Sequence, residues 1–312
     1  MSKISIVVPV YYNSDTLELL YADMKEKILG KLGDYEIVFV DDGSGDNSWE
    51  IMNQLRMQDS NIKCVKLSRN FGEHAALLAG LSACTGDCAV TKQADLQEDS
   101  TIILEMYESW KRGNKVVLAV RKERKENPVK VFFANMYYAL IRKIVNKNMP
   151  VGGCDCYLVD RKVIEVLERL DEKNSSLTLQ VLWVGFKTDK IYFVRQDREV
   201  GKSRWTLSKK VKLVMDSVMS FSYFPLRFMS TIGIIFNILA VILLISVIVE
   251  KVTKGTPIAG WASLMCVVLC ATGLIMLMLG ILGEYIWRTL DAARTRPPYI
   301  IAAVKEGKKD KD

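Results

Sequence analysis

Short apolar segments alternate with amphipathic segments from the start of the chain to about residue 206. The apolar segments are rich in β-branched residues and nearly continuous, as strands are when both faces of a sheet are buried. Between them, apolar residues recur at helical spacing, as Leu17, Leu20, Met24 and Ile28 do within residues 16–29. The alternation predicts an α/β domain with a mostly parallel sheet covered by helices on both faces.

The same pattern sets the bounds of the predicted elements. The predicted strands are residues 4–10, 36–40, 62–67, 88–91, 115–120 and 154–159. The predicted helices are residues 16–29, 46–58, 73–83, 100–111 and 129–146. Two further short apolar segments, 181–184 and 190–194, lead to a basic segment.

Two long apolar segments occupy the last third of the chain. Residues 228–249 and 255–283 contain no charged residue, and each is long enough to cross the ~30 Å hydrocarbon core of a bilayer as a helix. A buried hairpin of a soluble protein is the alternative. Upstream, residues 207–224 have apolar side chains on one face and lysines on the other, which fits a helix at a membrane interface and equally a packed helix.

We therefore predict a soluble domain, a juxtamembrane amphipathic helix, two membrane helices and a basic tail. The predicted bounds are 1–206, 207–226, 227–287 (helices at about 228–249 and 260–283) and 288–312. No signal peptide is visible, and basic residues flank the outer ends of the apolar pair. The positive-inside bias then predicts a multi-pass protein of the cell inner (cytoplasmic) membrane, with the soluble domain and both termini in the cytoplasm.

Charge and cysteine content narrow the partners and cofactors. The net charge is +7, and much of the basic surplus lies beside the predicted membrane helices or in residues 305–311. Anionic lipid headgroups explain this surplus more simply than nucleic acid does. The seven cysteines would lie in a reducing compartment, so disulfides are not expected. A zinc site is the weaker alternative for the paired cysteines Cys84, Cys88, Cys154 and Cys156.

Polar residues follow the predicted strands where the strands end. Asp41 and Asp42 follow the second strand, and Asp95 and Gln97 follow the strand at 88–91. The carboxyl ends of parallel strands meet at one sheet edge, where α/β folds bind nucleotides. Asp95 and Gln97 offer oxygen ligands of the kind that Mg2+ and Mn2+ prefer. The turn at 41–44 also suits a helix N-terminus, and the two interpretations of that turn remain open.

Histidine chemistry and a dinucleotide fingerprint are both excluded. His74 is the only histidine, so a histidine-based triad or metal site is not available. The turn after the first strand, residues 9–14, contains no glycine, whereas a dinucleotide-binding fold needs glycines there. A divalent metal held by Asp95 is the expected substitute for binding a diphosphate.

Four motifs lie in order at successive predicted strand ends. They are Pro9-Val10-Tyr11, Asp41-Asp42-Gly43-Ser44, Arg69-Asn70-Phe71-Gly72-Glu73-His74-Ala75-Ala76 and Gln93-Ala94-Asp95-Leu96-Gln97. Together they resemble the family 2 glycosyltransferases of the GT-A fold. The best match within that family is the branch that loads a sugar onto a polyprenyl phosphate, the dolichol-phosphate mannose synthase and bactoprenol glucosyltransferase group. The resemblance covers nearly the whole chain, including the membrane hairpin.

The resemblance implies an inverting, metal-dependent transferase with a nucleotide-sugar donor, a UDP-sugar, and a polyprenyl (undecaprenyl) phosphate acceptor. Such an enzyme would serve cell-envelope glycan synthesis or lipid modification, and the sequence leaves a homo-oligomer open. The implied donor-binding residues are Pro9, Tyr11, Asn13, Asp41, Asp42, Gly72, Gln93, Ala94, Arg121 and Arg124. The implied metal ligands, for Mg2+ or Mn2+, are Asp95 and Gln97. Asp155 and Asp95 are the implied catalytic residues, and the implied acceptor-phosphate site is Arg198, Ser203 and Arg204.

One position departs from the family pattern. The family normally has aspartates at positions 93 and 95, and here position 93 is glutamine. Gln93 can bind only weakly through its carbonyl oxygen, so a weaker metal site is expected. On this basis Asp95→Asn is expected to abolish activity, whereas Gln93→Asp is expected to leave it unchanged or raise it.

Two other functions compete with this interpretation. A processive polysaccharide synthase would carry more membrane helices and a Gln-x-x-Arg-Trp motif, whereas Gly201 lies three residues before Arg204 here. A non-catalytic membrane-tethered scaffold would explain Gln93 as a loss of chemistry. The many polar residues retained at strand ends favour the enzyme over the scaffold.

Overall fold

The computed structural model describes residues 2–122, 128–154, 156–170, 172, 175–195, 207–254 and 260–307. The chain divides into two compact units. The first unit is Met1–Ser217 together with Pro297–Asp312, and the second is Val218–Arg296. Each is described separately below.

An eight-stranded sheet forms the centre of the first unit. Its strands are β1 Ile4–Val10, β2 Tyr35–Asp41, β3 Ile62–Leu67, β4 Cys88–Thr91, β5 Val116–Arg121, β6 Cys156–Asp160, β7 Thr188–Phe193 and β8 Ile301–Glu306. Their order across the sheet is β7-β5-β6-β4-β1-β2-β3-β8. The pairs β1–β2, β1–β4, β2–β3 and β5–β7 are parallel. Antiparallel pairing involves β6 with β4 and β5, and β8 with β3.

Helices connect the strands, and those at 161–169 and 177–183 lie in segments where the sequence pattern predicted no helix. The helices are α1 Leu17–Met24, continued by a π-helical turn Lys25–Leu29 and by α2 Gly30–Leu32, then α3 Ser48–Gln58, α4 Glu73–Ala83, α5 Ile102–Lys111, α6 Pro128–Ile144, α7 Arg161–Arg169, α8 Leu177–Trp183 and α9 Leu207–Phe221. The prediction of an α/β domain with a mostly parallel, helix-covered sheet is confirmed.

Both faces of the central strands are buried, which accounts for their continuous apolar sequence. All seven residues of β1 are buried. Ile4, Ile6 and Val8 belong to the large core cluster that also contains the apolar face of α1. Val7 points to the opposite face, where a Cβ at Gly80 of α4 would collide with its side chain. Because side chains alternate along a strand, one strand contributes to two packed layers.

Two segments adopt a structure that the sequence pattern did not predict. The apolar segment at 181–184 lies mostly in α8. The region treated as a basic tail contains β8, which pairs with β3. β8 is an edge strand that pairs with β3 through ladder hydrogen bonds, and most of its side chains are exposed.

The second unit contains two long helices, α10 Phe224–Lys254 and α11 Trp261–Ala293. Their segments Phe224–Thr253 and Val267–Ala293 are long and apolar enough to cross a membrane. Most of their apolar side chains are exposed, Leu243 at 55% among them. Such a surface is unfavourable in water and suits contact with lipid.

Candidate functional site

The loop after β4 brings Asp95 and Gln97 onto one cationic group. Leu96 between them has a φ of 57°, in the left-handed region, and the backbone N–H of Gln97 donates to Asp95 Oδ1 at 3.3 Å. Arg195, which follows β7, has its Nη2 3.4 Å from Asp95 Oδ2 and donates from the same nitrogen to Gln97 Oε1. Since one nitrogen contacts oxygens of both residues, the two predicted metal ligands face a common position.

Gln93 contacts a carboxylate from another element. Its Nε2 donates to Glu73 Oε1 at 2.7 Å, and Glu73 is the first residue of α4. Burial raises the pKa of the Glu73 carboxyl, the Gln93 hydrogen bond and the Arg195 charge oppose this rise, and the Asp95 charge adds to it. Position 93 therefore joins a network that includes Asp95, through a residue that the sequence analysis did not select.

Asp42 holds the backbone that leads into α4. Its Oδ1 accepts from the N–H of Phe71 at 2.7 Å and its Oδ2 from the N–H of Gly72 at 2.9 Å. Burial raises the pKa of Asp42 to about 6, because it and the neighbouring Asp41 charge outweigh the two backbone hydrogen bonds and the Arg69 charge. The φ of Gly72 is 99°, which favours glycine at this turn.

Asp41 presents a buried acceptor atom. Its Oδ1 accepts from the N–H of Ser44 at 2.9 Å, which closes the turn after β2. Its Oδ2 is buried and has no hydrogen-bond partner in the described part of the chain. A buried carboxylate oxygen without a donor is energetically unfavourable, so this atom suits an N–H or O–H group of a ligand.

The loop after β1 is tied to the turn after β2. The N–H of Tyr12 donates to Ser44 Oγ and that of Asn13 to Ser48 Oγ, both at 3.0 Å. Asn13 Oδ1 in turn accepts from the N–H of Tyr11 at 2.9 Å. These bonds place the two loops side by side at the carboxyl edge of the sheet.

The end of β5 is packed against the loop that precedes β6. A Cβ at Gly152 would collide with the backbone carbonyl oxygen of Arg121, and one at Gly153, whose φ is 72°, would collide with the Tyr138 ring. Because β6 runs antiparallel to β4 and β5, its first residue, Cys156, lies at their carboxyl edge. Its thiol donates to the Thr91 carbonyl oxygen at 2.8 Å.

The structure gathers most of the described predicted residues at this one edge. The residues at strand ends or in the adjoining loops are Tyr11, Asn13, Asp41, Asp42, Gly72, Gln93, Ala94, Asp95, Gln97 and Arg121. Pro9 lies inside β1, in register with Val40, and is buried. The predicted residues Arg124, Asp155, Arg198, Ser203 and Arg204 lie outside the described residues.

Sequence reasoning missed several charged residues at this edge. Lys92, 2% exposed, donates from Nζ to the Glu98 carbonyl oxygen at 2.8 Å. Burial raises the pKa of the Glu98 carboxyl, which also interacts with Lys92, Asp95 and Arg195. Both acidic and basic groups thus lie close enough to Asp95 to interact with it. The only signal in the sequence for Lys92 and Glu98 was their closeness to the motif at 93–97. Arg195 gave no such signal, because it lies in a distant part of the chain.

Among the described residues, no group of three or more histidine, cysteine, aspartate or glutamate side chains is arranged to hold a metal ion. Cys84 and Cys156 donate to carbonyl oxygens. Both ring nitrogens of His74 are buried without a hydrogen-bond partner in the same described ranges. Burial lowers the pKa of His74, against the charge of Asp216, so the neutral ring is favoured.

Comparison with known proteins gives matches in sequence and in fold. A glucosyl transferase homolog from an Escherichia coli (strain K12) prophage, named for bactoprenol, is 35% identical over 97% of this chain and 100% of its own length. An uncharacterized glycosyltransferase of Bacillus subtilis (strain 168) is 39% identical over 95% of this chain and 92% of its own.

Among solved structures, a mannosyltransferase from Pyrobaculum calidifontis in complex with GDP-Man and Mn2+ superposes with a TM-score of 0.50. It is 16% identical, over 68% of this chain and 60% of its own, so the likeness concerns the fold alone. The model of the family described as "Glycosyl transferase family 2" matches residues 5–168, more than half of the chain. Together with the full-length relatives, this match shows that the chain belongs to glycosyl transferase family 2.

Proposed function

We propose that this chain transfers a sugar from a nucleotide-sugar, a UDP-sugar, to polyprenyl phosphate at the cytoplasmic face of a membrane. The observation that carries the proposal is the convergence of Asp95 Oδ2 and Gln97 Oε1 on the Arg195 guanidinium, at the sheet edge where Asp41 has a buried acceptor atom without a partner among the described residues. The E. coli relative named for bactoprenol supports a lipid-linked acceptor.

The nucleoside would bind where the loops after β1 and β2 meet. Asp41 Oδ2 is an acceptor suited to the imino N–H of uracil or to a ribose hydroxyl. Tyr12 is 39% exposed and forms an edge-to-face pair with Tyr11, 4.8 Å between ring centroids. This aromatic surface belongs to the loop whose Tyr12 N–H donates to Ser44 Oγ, in the turn that Asp41 closes. A base could stack there while Asp41 accepts its hydrogen bond.

The diphosphate would bind near Asp95, with a divalent cation, Mg2+ or Mn2+. The donor atoms fit such an ion, since carboxylate and amide oxygens of Asp95 and Gln97 already face a single positive group. The bound ion would neutralise charge on the leaving diphosphate. Arg195 and Arg121 would add positive charge for the same diphosphate, as guanidinium groups do.

The acceptor needs positioning more than deprotonation. The second pKa of a phosphate monoester is ~6, so it is mostly a dianion at neutral pH. Its oxygen would attack the anomeric carbon as the bond from that carbon to the diphosphate oxygen breaks, and the configuration would invert. Arg198, Ser203 and Arg204 are proposed to hold this phosphate, and Asp155 is proposed to orient it.

Chain connectivity supports a paired membrane crossing. The chain up to Ser217 and the chain from Pro297 onward both belong to the first unit, and α10 and α11 lie between them. If each helix crosses once, the chain returns to the side from which it left. The basic residues flanking the pair then favour the cytoplasm for the first unit, which gives a multi-pass protein of the inner membrane.

The test is sugar transfer by the purified full-length protein in detergent. Undecaprenyl phosphate and a panel of radiolabelled UDP-sugars would be supplied with Mn2+, with Mg2+ or with EDTA, and labelled lipid would be measured. We expect transfer from one donor, loss with EDTA, and at least ~100-fold less transfer by Asp95→Asn, the size of effect seen when charge stabilisation at a reacting group is removed.

Asp34→Asn is the matched control. Asp34 is exposed and precedes β2, at the opposite edge of the sheet, so this variant should transfer at the wild-type rate. Absence of transfer from every donor under all three conditions would overturn the proposed function. Full activity of Asp95→Asn would instead overturn the role of Asp95 alone.

A further inference from the structure

Glu73 and Gln93 form a carboxylate–amide pair next to Asp95. Gly72, in a left-handed turn held by Asp42, starts α4 so that its first side chain, Glu73, reaches the loop after β4. The contact joins Gln93 Nε2 and Glu73 Oε1 at 2.7 Å. Only an amide N–H can face a carboxylate oxygen in this way, so the Gln93 carbonyl oxygen is turned away from Glu73.

Because Glu73 contacts position 93, a carboxylate at position 93 would lie next to another acidic side chain. With aspartate or glutamate there, the carboxylates at positions 73, 93 and 95 would lie together, and like charges at such separation oppose one another's ionisation. The side chains of Glu73 and Asp95 already interact electrostatically with each other and with Arg195. The acidic side chain absent from position 93 is thus present at position 73, on a different element.

We propose that Glu73 is a positioning residue of the donor site: its carboxyl group orients the Gln93 amide and supplies the second acidic side chain beside Asp95. This proposal rests on the proposed function and deepens it by assigning a role to Glu73, a motif residue to which the family resemblance assigns none. It also reverses one expectation from the family resemblance, because Gln93→Asp should lower activity while Glu73 is present.

A purely structural role for Glu73 is the competing explanation. An acidic residue in the first turn of a helix is stabilised by the backbone N–H groups there and can serve only α4. That role predicts that any neutral residue in place of Glu73 lowers the melting temperature, regardless of which residue occupies position 93. The positioning role predicts that the effects of positions 73 and 93 depend on each other.

The experiment is an exchange of the two groups in the full-length protein. Glu73→Gln, Gln93→Glu and the double variant carrying both changes would be compared with the wild type. UDP binding by calorimetry with and without Mn2+, donor KM and kcat, and melting temperature would be measured for each. Glu172→Gln is the matched control, since its carboxylate accepts from the amide of Gln180 at 3.4 Å in another part of the fold.

We expect each single variant to bind UDP and Mn2+ at least ~10-fold more weakly, and the double variant to return to within ~3-fold of the wild type, as a directly contacting pair would. Glu172→Gln should bind as the wild type does. Additive effects of the two changes, or a fall in melting temperature with unchanged UDP binding, would overturn the proposal. If Gln93→Glu does not fold, comparison of the double variant with Glu73→Gln still decides the outcome.

Failure of this inference is distinguishable from failure of the proposed function. UDP binding needs no acceptor, so coupling between the two positions can be measured even if no sugar is transferred. Wild-type sugar transfer combined with additive variants would leave the function standing and remove Glu73 from the donor site. Coupled UDP binding without transfer to any lipid would keep Glu73 in the site and overturn the acceptor.

Discussion

Replacing Glu36 by glutamine is expected to destabilise the sheet of the first unit at neutral pH. Glu36, near the start of β2 and 5% exposed, accepts hydrogen bonds from Ser5 Oγ at 2.6 Å, Thr85 Oγ1 at 2.8 Å and Lys3 Nζ at 3.1 Å. The backbone N–H groups of Thr85 and Gly86 donate as well. One carboxylate therefore connects the amino ends of β1, β2 and β4.

The magnitude follows from the pKa of this carboxyl. Burial by itself would raise the pKa of Glu36, but the hydrogen bonds from Ser5, Thr85 and Lys3 outweigh burial and lower the pKa from 4.5 to about 2. A difference of ~2.5 in pKa corresponds to ~3 kcal/mol in favour of the ionised folded protein. Because the pKa is lowered, this stabilisation is present above about pH 4.5 and is lost as the pH falls towards 2.

Thermal unfolding of the full-length protein in detergent is the assay. One kcal/mol shifts the melting temperature of a domain of this size by ~2–4 °C, so Glu36→Gln should lower it by ~6–12 °C at pH 7.5. The difference from the wild type should shrink as the pH falls from 4.5 to 2.5. The control, Glu26→Gln, alters an exposed residue of the π-helical turn and should change little at any pH.

Two results would refute this reasoning. One is a melting temperature for Glu36→Gln within ~2 °C of the wild type at pH 7.5, where the loss should be ~3 kcal/mol. The other is a difference that does not depend on pH. Sugar transfer at 25 °C should persist in the variant, since Glu36 lies at the amino edge of strands that are ~20 Å long, away from the candidate site.

Three further predictions concern the site and the packing beneath it. Because burial raises the pKa of Asp42 to about 6, ionisation of Asp42 disfavours folding as the pH rises from its ordinary 3.8 through about 6. The free energy of unfolding of Asp42→Asn, measured relative to the wild type by thermal unfolding, should therefore rise between pH 4 and 7.5 by up to ~3 kcal/mol, and a difference that does not depend on pH would contradict this. Arg195→Lys keeps a charge but loses the planar fork, so kcat/KM for the UDP-sugar should fall ~10-fold with little change in melting temperature; unchanged kinetics would remove Arg195 from the donor site. Gly80→Ala would place a Cβ against Val7 and should lower the free energy of unfolding by ~1–3 kcal/mol, measured by thermal unfolding. A Cβ at Gly30 would contact nothing within 4 Å, so the control Gly30→Ala should be neutral or stabilising. Equal melting temperatures of the two variants would argue against close packing at position 80.

The local hydrophobic pattern was sufficient to predict the central strands of the sheet and the helices that pack on them. The apolar run 4–10 predicts β1, and the helical spacing in residues 16–29 predicts α1, because burial on both faces of a strand or on one face of a helix leaves a periodic signal in the sequence. The same reasoning predicted that Asp41, Asp42 and Asp95 would meet, since parallel strands end at one edge.

Contacts between distant segments left no such signal. β8 is short and mostly exposed, and its ladder to β3 joins residues more than 200 positions apart in the chain. Arg195 reaches Asp95 and Gln97 across 100 and 98 positions, and its own neighbourhood in the sequence gives no reason to select it above other arginines. The Glu73–Gln93 contact likewise exists only because α4 begins beside the loop after β4.

The sequence alone determined the α/β class, the order of most elements, the two long apolar segments and the strand ends where the polar motifs lie. All of these depend on interactions whose period or spacing is local. Only the tertiary structure decided which charged groups face Asp95, how the amide of Gln93 is oriented and which segment covers the edge of β3. The physical reason is that these contacts depend on where separate elements meet in space, and a carboxylate or a guanidinium carries no record of its partner in the residues beside it.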